Sequence, residues 1–175
     1  MVKCNHITYI SSKDDSHSIM NFSIREARAQ DAESIMSLTV DGIHTWGEDI
    51  LDQLVPWTEQ ICNLAYAEQR LNNAGYRSFV AEQDTKIVGS IYLNLEDADI
   101  AHMGGLYCAL KRSGLGTALL RTAMTESKNR GYSRMKCEIY SGNEPSIALM
   151  TKHGASYSHS VFFDGVEYHT YVMTL

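Results

Sequence analysis

Proline is nearly absent: Pro56 and Pro145 are the only two in 175 residues, so no proline-rich linker divides the chain. Cysteine is scarce and scattered. Cys4, Cys62, Cys108 and Cys137 form no CxxC pair, which indicates neither a disulfide framework nor a zinc ribbon and predicts a reducing, cytoplasmic home. His6, His17, His44, His153, His159 and His169 show no metal-ligand spacing, so no metal is expected. No apolar run is long enough to span a bilayer, and Met1 to Asp15 lack the apolar core of a signal peptide, so no membrane partner is expected. Excess basic charge is missing too. A net charge of −6 argues against a nucleic-acid partner, because such binding relies on basic surface. What is present is ordinary for one folded unit: 44% hydrophobic and 21% charged residues. We find no internal repeat. Residues 22–175 read as a single domain, and residues 1–21 as an N-terminal extension or the product of an upstream start codon, with His6–Ile10 able to add an edge strand.

Phe22 to Ala27 alternates apolar and polar residues, as a strand does, and Asp31 is placed to N-cap a helix carrying Ile35 and Leu38. A second helix is predicted from Thr58 to Asn73 with Ile61, Leu64, Ala65 and Leu71 on one face, stopping near Gly75. Ser78–Glu82 and Ile87–Leu93 form a hairpin around Asp84-Thr85-Lys86, followed by a strand from Ala98 to Cys108. Gly114–Arg130 reads as a helix with Leu115, Leu119, Thr122 and Ala123 inward, ended by Gly131. Then come a strand over Arg134–Tyr140, a short helix over Pro145–His153, and a hairpin, Ser156–Phe163 and Val166–Met173, turned at Asp164-Gly165. Strands alternate with helices only in the middle, so the fold class is α/β (α+β) with a mixed sheet.

The stretch Lys111-Arg112-Ser113-Gly114-Leu115-Gly116-Thr117-Ala118-Leu119-Leu120 joins a strand to an amphipathic helix through glycines. Open backbone N–H groups and the helix dipole meet there, and bare α-carbons admit a ligand, which suits a pyrophosphate. No GxxxxGK[ST] and no GxGxxG occurs, which disfavours two nucleotide-binding loops. From Lys111 to Lys136 stand Lys111, Arg112, Arg121, Lys128, Arg130, Arg134 and Lys136 against one acid, Glu126, a local positive field for phosphates; Arg121 and Lys128 read better as a solvated helix face. Gly104-Gly105, inside the preceding strand, marks a bulge or a close backbone approach. A second segment, Asn143-Glu144-Pro145-Ser146-Ile147-Ala148-Leu149-Met150-Thr151-Lys152-His153-Gly154-Ala155, follows at a telling distance.

Together these segments resemble the GNAT superfamily of N-acetyltransferases, over about Phe22 to Leu175. The resemblance implies a mostly antiparallel sheet of six or seven strands flanked by about four helices, and acetyl transfer from acetyl-CoA as cosubstrate to an amine. It implies that Lys111, Arg112, Ser113, Gly114, Leu115, Gly116 and Thr117 hold the pyrophosphate. The backbone of Leu106 and Cys108 would pair with the pantetheine arm, and Asn143 would complete the cofactor site. Lys111 stands where the family has Arg or Gln, and Met150 where many relatives carry a tyrosine proposed to protonate the departing thiolate. A thioether cannot donate a proton. That departure motivates an alternative, a non-catalytic acyl-CoA-binding regulatory module. Many relatives dimerise, and the resemblance leaves a homodimer open.

Aminolysis of a thioester needs a donor at the carbonyl oxygen and a route for the amine proton. Base candidates are Glu96, Asp97, Asp99, His102 and Glu138. His102 has a suitable ordinary pKa, and Glu138 is central in its strand. Tyr140 or Tyr157 could replace the missing acid. Cys137 reads as a small buried hydrophobe rather than a nucleophile. From Ala29 to Gln69 no Lys or Arg occurs, while Asp31, Glu33, Asp41, Glu48, Asp49, Asp52, Glu59 and Glu68 do. In the resembled fold this region borders the acceptor, so the expected partner is a small-molecule cationic amine such as a polyamine or aminoglycoside-like compound, with Trp46 and Trp57 available for cation–π contact. The plainer reading is a solvated acidic surface.

Overall fold

The structure is a computed structural model that describes residues 7–9, 21–45 and 59–175. Eight strands form one sheet in the order β1-β2-β3-β4-β5-β6-β8-β7. They are β1 (Ile7–Tyr9), β2 (Phe22–Glu26), β3 (Tyr76–Gln83), β4 (Lys86–Asn94), β5 (Ala101–Cys108), β6 (Arg134–Tyr140), β7 (Ser156–Phe163) and β8 (Val166–Thr174). Every neighbouring pair is antiparallel except β5–β6. The mixed, mostly antiparallel sheet is thus the expected one; the strand beyond the expected seven is β1, an edge strand paired with β2. Both tight hairpins form through left-handed residues, Asp84 (φ 48°) with Thr85 (φ 67°), and Asp164 (φ 50°) with Gly165 (φ 82°), whose twist matches that of the strands.

Among the described residues the α-helices are α1 (Ala32–His44), α2 (Leu64–Asn72), α3 (Leu115–Asn129) and α4 (Glu144–Lys152). The second helix differs from its prediction. Residues 59–61 are helical, but Asn63 interrupts the run and caps α2 by accepting from the Ala65 amide at 2.8 Å. The interruption turns the face: Ala67 is buried, whereas Leu64 and Ala65 point outward. Asp31 likewise precedes α1 without capping it. Its carboxylate accepts from the Arg28 amide at 2.7 Å and pairs with Arg25.

Strand alternation assigns the two faces of the sheet. Ala81, Ile91, Leu93, Ala101, Met103, Met135, Cys137 and Met173 pack with Leu115, Leu119, Leu120 and Ala123 of α3 in one core. Arg121 and Lys128 are exposed, as a solvated face requires. The other face carries Ser78, Ser90, Tyr92, Asn94, His102, Glu138 and Tyr140, and α1 covers part of it: a Cβ on Gly42 would meet the Tyr107 ring. Among the described residues, no helix is long and apolar enough to cross a membrane.

Candidate functional site

The site begins where the sheet stops being a sheet. β5 and β6 pair only at Ala101↔Met135 and His102↔Lys136, then part. β5 therefore presents an unpaired edge over its second half. The Ala109 amide donates to Val88 O at 2.9 Å, toward β4. Alternation then turns the amides of Cys108 and Leu106 toward the opening between β5 and β6. Just before them the β4–β5 register shifts: Ser90 faces Tyr107 and Tyr92 faces Gly104, so one residue of β4 opposes two of β5. Gly105 is the bulged residue, with φ +58°, and a Cβ on Gly104 would collide with the Tyr92 hydroxyl. Gly105 is thus favoured by its backbone conformation, and Gly104 by the Tyr92 side chain packed against it.

At the mouth of the opening lies the loop into α3. Arg112 (φ 57°) and Gly114 (φ 81°) are left-handed, and Gly114 precedes the first helical turn. Ser113 Oγ donates to Leu110 O at 2.8 Å and accepts from the Leu115 amide at 3.3 Å. The Gly116 and Thr117 amides have no intrahelical acceptor and open toward the loop. A Cβ on Gly116 would find Leu149 Cδ2 at 3.4 Å and Cys108 Sγ at 3.7 Å, ordinary contacts, so packing alone does not demand glycine there. The bare position fits a ligand instead, and the open amides beside Lys111 and Arg112 fit a pyrophosphate. Asn143 caps α4, accepting from the Ser146 amide at 3.3 Å; its Oδ1 is committed to that helix.

Where β5 and β6 part, His102 and Glu138 meet. His102 Nε2 bonds directly to Glu138 Oε2, and Lys136 Nζ stands 3.9 Å from the other carboxylate oxygen. Burial pushes the Glu138 carboxyl upward, but the hydrogen bond from His102 and the charges of His102 and Lys136 outweigh it and hold the group below the ordinary carboxylate range. With an ionised carboxylate on Nε2, the neutral imidazole keeps its proton on Nε2 and offers the Nδ1 lone pair. Thr170, opposite Glu138 on β8, has a buried hydroxyl that meets no partner among the described residues.

The other candidates separate by position. Tyr140 lies on the same face of β6 as Glu138, edge-on to Tyr168. Tyr157 is on the outermost strand, more than half exposed, with its hydroxyl at Ser160; β6 and β8 stand between it and β5. Glu96, Asp97 and Asp99 are exposed in the β4–β5 turn, where Asp97 Oδ1 accepts from the Asp99 amide. Met150 is 2% exposed and belongs to the core, so its side chain does not line the opening. Cys108 and Cys137 are pushed up to about 12 by burial, so neither is a thiolate at neutral pH. Trp46, Trp57, Glu48, Asp49 and Asp52 lie outside the described residues. Sequence reasoning missed Arg70 on α2, whose guanidinium lies over the Tyr92 ring beside the bulge. A signal was present: Arg70 is the first Lys or Arg after Arg28.

Comparison with known proteins places this geometry. Residues 41–155, which span the bulge, the loop, α3, β6 and α4, match the model of the acetyltransferase (GNAT) family. The fold is similar to that of the PaiA N-acetyltransferase of Thermoplasma acidophilum in complex with coenzyme A, at 17% identity and a TM-score of 0.75, covering 89% of this chain and 100% of that one. It is also similar to the ribosomal-protein-alanine N-acetyltransferase of Brucella melitensis (21% identity, TM-score 0.68, 87% and 99% covered). The ribosomal-protein-S18-alanine N-acetyltransferase of Escherichia coli is a further match (18%, 0.65, 87% and 93%). The chain belongs to the acetyltransferase (GNAT) family, whose members are acetyl-CoA-dependent N-acetyltransferases.

Proposed function

We propose that this enzyme acetylates the primary amine of a small cationic molecule by direct attack on the acetyl-CoA thioester, with His102 and Glu138 as the proton-accepting pair. The observation that carries the reading is their meeting at the vertex of the β5–β6 opening, one residue pair from the Gly104–Gly105 bulge. Lys111, Arg112 and the amides of Gly116 and Thr117 hold the pyrophosphate, with Ser113, Gly114 and Leu115 shaping the turn. The Leu106 and Cys108 backbone takes the pantetheine arm, and Asn143 fixes α4 against the loop. His102 Nδ1 takes a proton from the attacking nitrogen as the N–C bond forms and the C–S bond breaks. Glu138 steadies the resulting imidazolium, as a buried carboxylate does for a general-base histidine. Tyr140 or solvent returns a proton to the thiolate; the thiol is acidic enough to leave without a strong acid, so the buried Met150 does not prevent turnover.

The acceptor's charge is read from the acidic stretch. Asp31 is consumed by Arg25, but Glu33, Asp41, Glu59 and Glu68 are exposed and draw ammonium groups toward this side. Cys62, Cys108 and Cys137 are free thiols, in keeping with a cytoplasmic setting. Thiol release measured against a panel of diamines, aminoglycosides, amino acids and peptide N-termini tests the reading. Turnover is expected on small cationic amines. Tight acetyl-CoA binding without turnover on any amine would establish the alternative, a regulatory acyl-CoA-binding module. Gly116→Glu is expected to abolish acetyl-CoA affinity in a folded protein; unchanged affinity removes the pyrophosphate assignment.

A further inference from the structure

Among the described residues, Arg70 is a cation without an anion. Its guanidinium carbon lies 4.4 Å from the Tyr92 ring centre and 4.9 Å from that of Tyr66. No carboxylate among the described residues pairs with it, and its Nε is buried without a hydrogen-bond partner. The contrast with Arg25 on the same face is direct, since that side chain is saturated by Asp31 and Glu82. Aromatic faces offset part of the cost of desolvating a guanidinium, but they do not bond its in-plane donors, and Nε stays unmet.

Arg70 lines a small cavity with Thr39, Ser78, Ser90, Tyr92 and Gly105. The Thr39 hydroxyl is spent on Ile35 O at 2.9 Å and the Ser90 hydroxyl lies 3.4 Å from Gly105 O. Of the side chains lining the cavity, Arg70 carries the buried polar atom, Nε, that meets no partner among the described residues. Its place relative to the chemistry is fixed by the sheet. Tyr92 faces Gly104, and Asn94, two residues along, faces His102. Two residues of strand are roughly 7 Å. A guanidinium above Tyr92 and an imidazole beside Asn94 are thus set to grip two ends of one small molecule.

We propose that Arg70 binds a carboxylate of the acceptor, so that the substrate class is the amino acids, and within it the diamino acids, rather than bare polyamines. This rests on the reading of His102 and Glu138 as the acylation site. A diamino acid satisfies both features of this side of the sheet. Its carboxylate meets the arginine fork, which matches carboxylate geometry two bonds at a time, while its positive charge suits the acidic surface.

Matched pairs that differ only by the carboxylate test the proposal: lysine against cadaverine, and ornithine against putrescine. In the wild-type enzyme the carboxylate-bearing member is expected to show a kcat/KM at least tenfold higher. Arg70→Gln is expected to erase that preference while leaving the diamine rate and the acetyl-CoA KM unchanged, and Arg70→Lys to restore part of it. Equal kcat/KM within the wild-type pairs, or an equal loss for both members in the variant, overturns the subsite. Should no amine turn over, the acylation reading fails on its own, and calorimetric titration of lysine into the protein–CoA complex decides the subsite separately. Binding weakened tenfold or more by Arg70→Gln upholds it. No binding, or binding indifferent to Arg70, overturns it.

Discussion

The two faces of the sheet are built to different rules. On the α3 face the strands contribute Ala, Ile, Leu, Met, Cys, Phe and Tyr, which form one buried core with α3. On the α1 and α2 face the same strands contribute Ser90, Tyr92, Asn94, His102, Glu138 and Thr170, and two arginines approach them. Along β6 the residues facing α3 are buried and those facing the other way are half-buried, but partial exposure alone does not mark chemistry. What separates them is polar satisfaction. On the α3 side the buried Ser127 hydroxyl has its partner in Met135 Sδ, whereas the opposite face holds groups bonded to one another, such as His102 with Glu138, and groups left open among the described residues, such as Arg70 Nε and the Thr170 hydroxyl. Buried polar groups are costly when unpaired, and a face that keeps several marks where a ligand is to come.

If that division is right, substitutions on the two faces should fail in different measurements. His102→Gln should lower kcat roughly 100- to 10,000-fold, the usual contribution of a positioned base, while the melting temperature and acetyl-CoA affinity stay near wild type. Steady-state kinetics and thermal unfolding of the same preparation check both halves; a variant that loses melting temperature along with rate would make His102 a structural residue. Leu119→Ala on the opposite face should do the converse. Leu119 is fully buried in the core, and its truncation should cost about 3 kcal/mol of stability with kcat unchanged at a temperature where the variant is folded. Urea unfolding gives the first number and initial rates give the second. A large kcat effect in a folded Leu119→Ala would show that the faces are coupled.

Much of this division was legible before any coordinates. Period-2 alternation located the strands, and Asp84 and Asp164-Gly165 announced the hairpins, because Asp and Gly tolerate the left-handed turn, whereas the β-branched Thr85 at φ 67° is the unusual member. The loop Lys111–Thr117 was legible because backbone geometry is written in glycine. Asn63 was not, since asparagine inside an apolar-periodic run reads equally as helix or cap, and only packing on the sheet decides. The bond between His102 and Glu138 was not legible either. Both residues were candidates, but their meeting depends on the parallel register of β5 and β6, which no local pattern encodes. Arg70 was hidden for the same reason: a lone arginine on a helix is ordinary until the strands beneath it place Tyr92 and a bulge below its guanidinium.

Arg25 and Arg70 sharpen the comparison within the polar face. Asp31 holds Arg25 through two bonds of 2.7 and 3.0 Å, and the hydrogen bonds from Arg25, against some desolvation, keep the Asp31 carboxyl below its ordinary range. A depressed carboxyl contributes stability that is fully present above its unfolded value, about 3.9, and is lost as pH falls through its lower folded value. Asp31→Asn should therefore destabilise the protein at neutral pH, by less than the roughly 3–5 kcal/mol of an outright broken buried pair, because Glu82 still faces Arg25. It should also flatten the acid limb of the stability curve below about pH 4. Chemical unfolding across pH 2–7 gives the curve. An unchanged acid limb would mean that Asp31 is not the titrating group, whereas Arg70→Gln, with no carboxylate to lose, should leave that limb as in the wild type.

The smallest expected effect discriminates most finely between packing and ligand binding. Gly116 sits in the first turn of α3 with space for a methyl group, its nearest neighbours being Leu149 Cδ2 at 3.4 Å and Cys108 Sγ at 3.7 Å from an added Cβ. Its backbone is not left-handed, so alanine meets no strain there. Alanine is favoured over glycine in a helix by up to about 1 kcal/mol, and less in the first turn. Gly116→Ala should therefore raise the melting temperature slightly or leave it unchanged. If the bare α-carbon is there so that phosphate can reach the backbone amides, the same methyl group should weaken acetyl-CoA binding several-fold. Stability and affinity then move in opposite directions, which no packing role for Gly116 can produce. Calorimetric titration beside a thermal scan measures the pair. A variant that loses stability and affinity together would return Gly116 to the scaffold and with it the claim that this turn was kept open for a ligand.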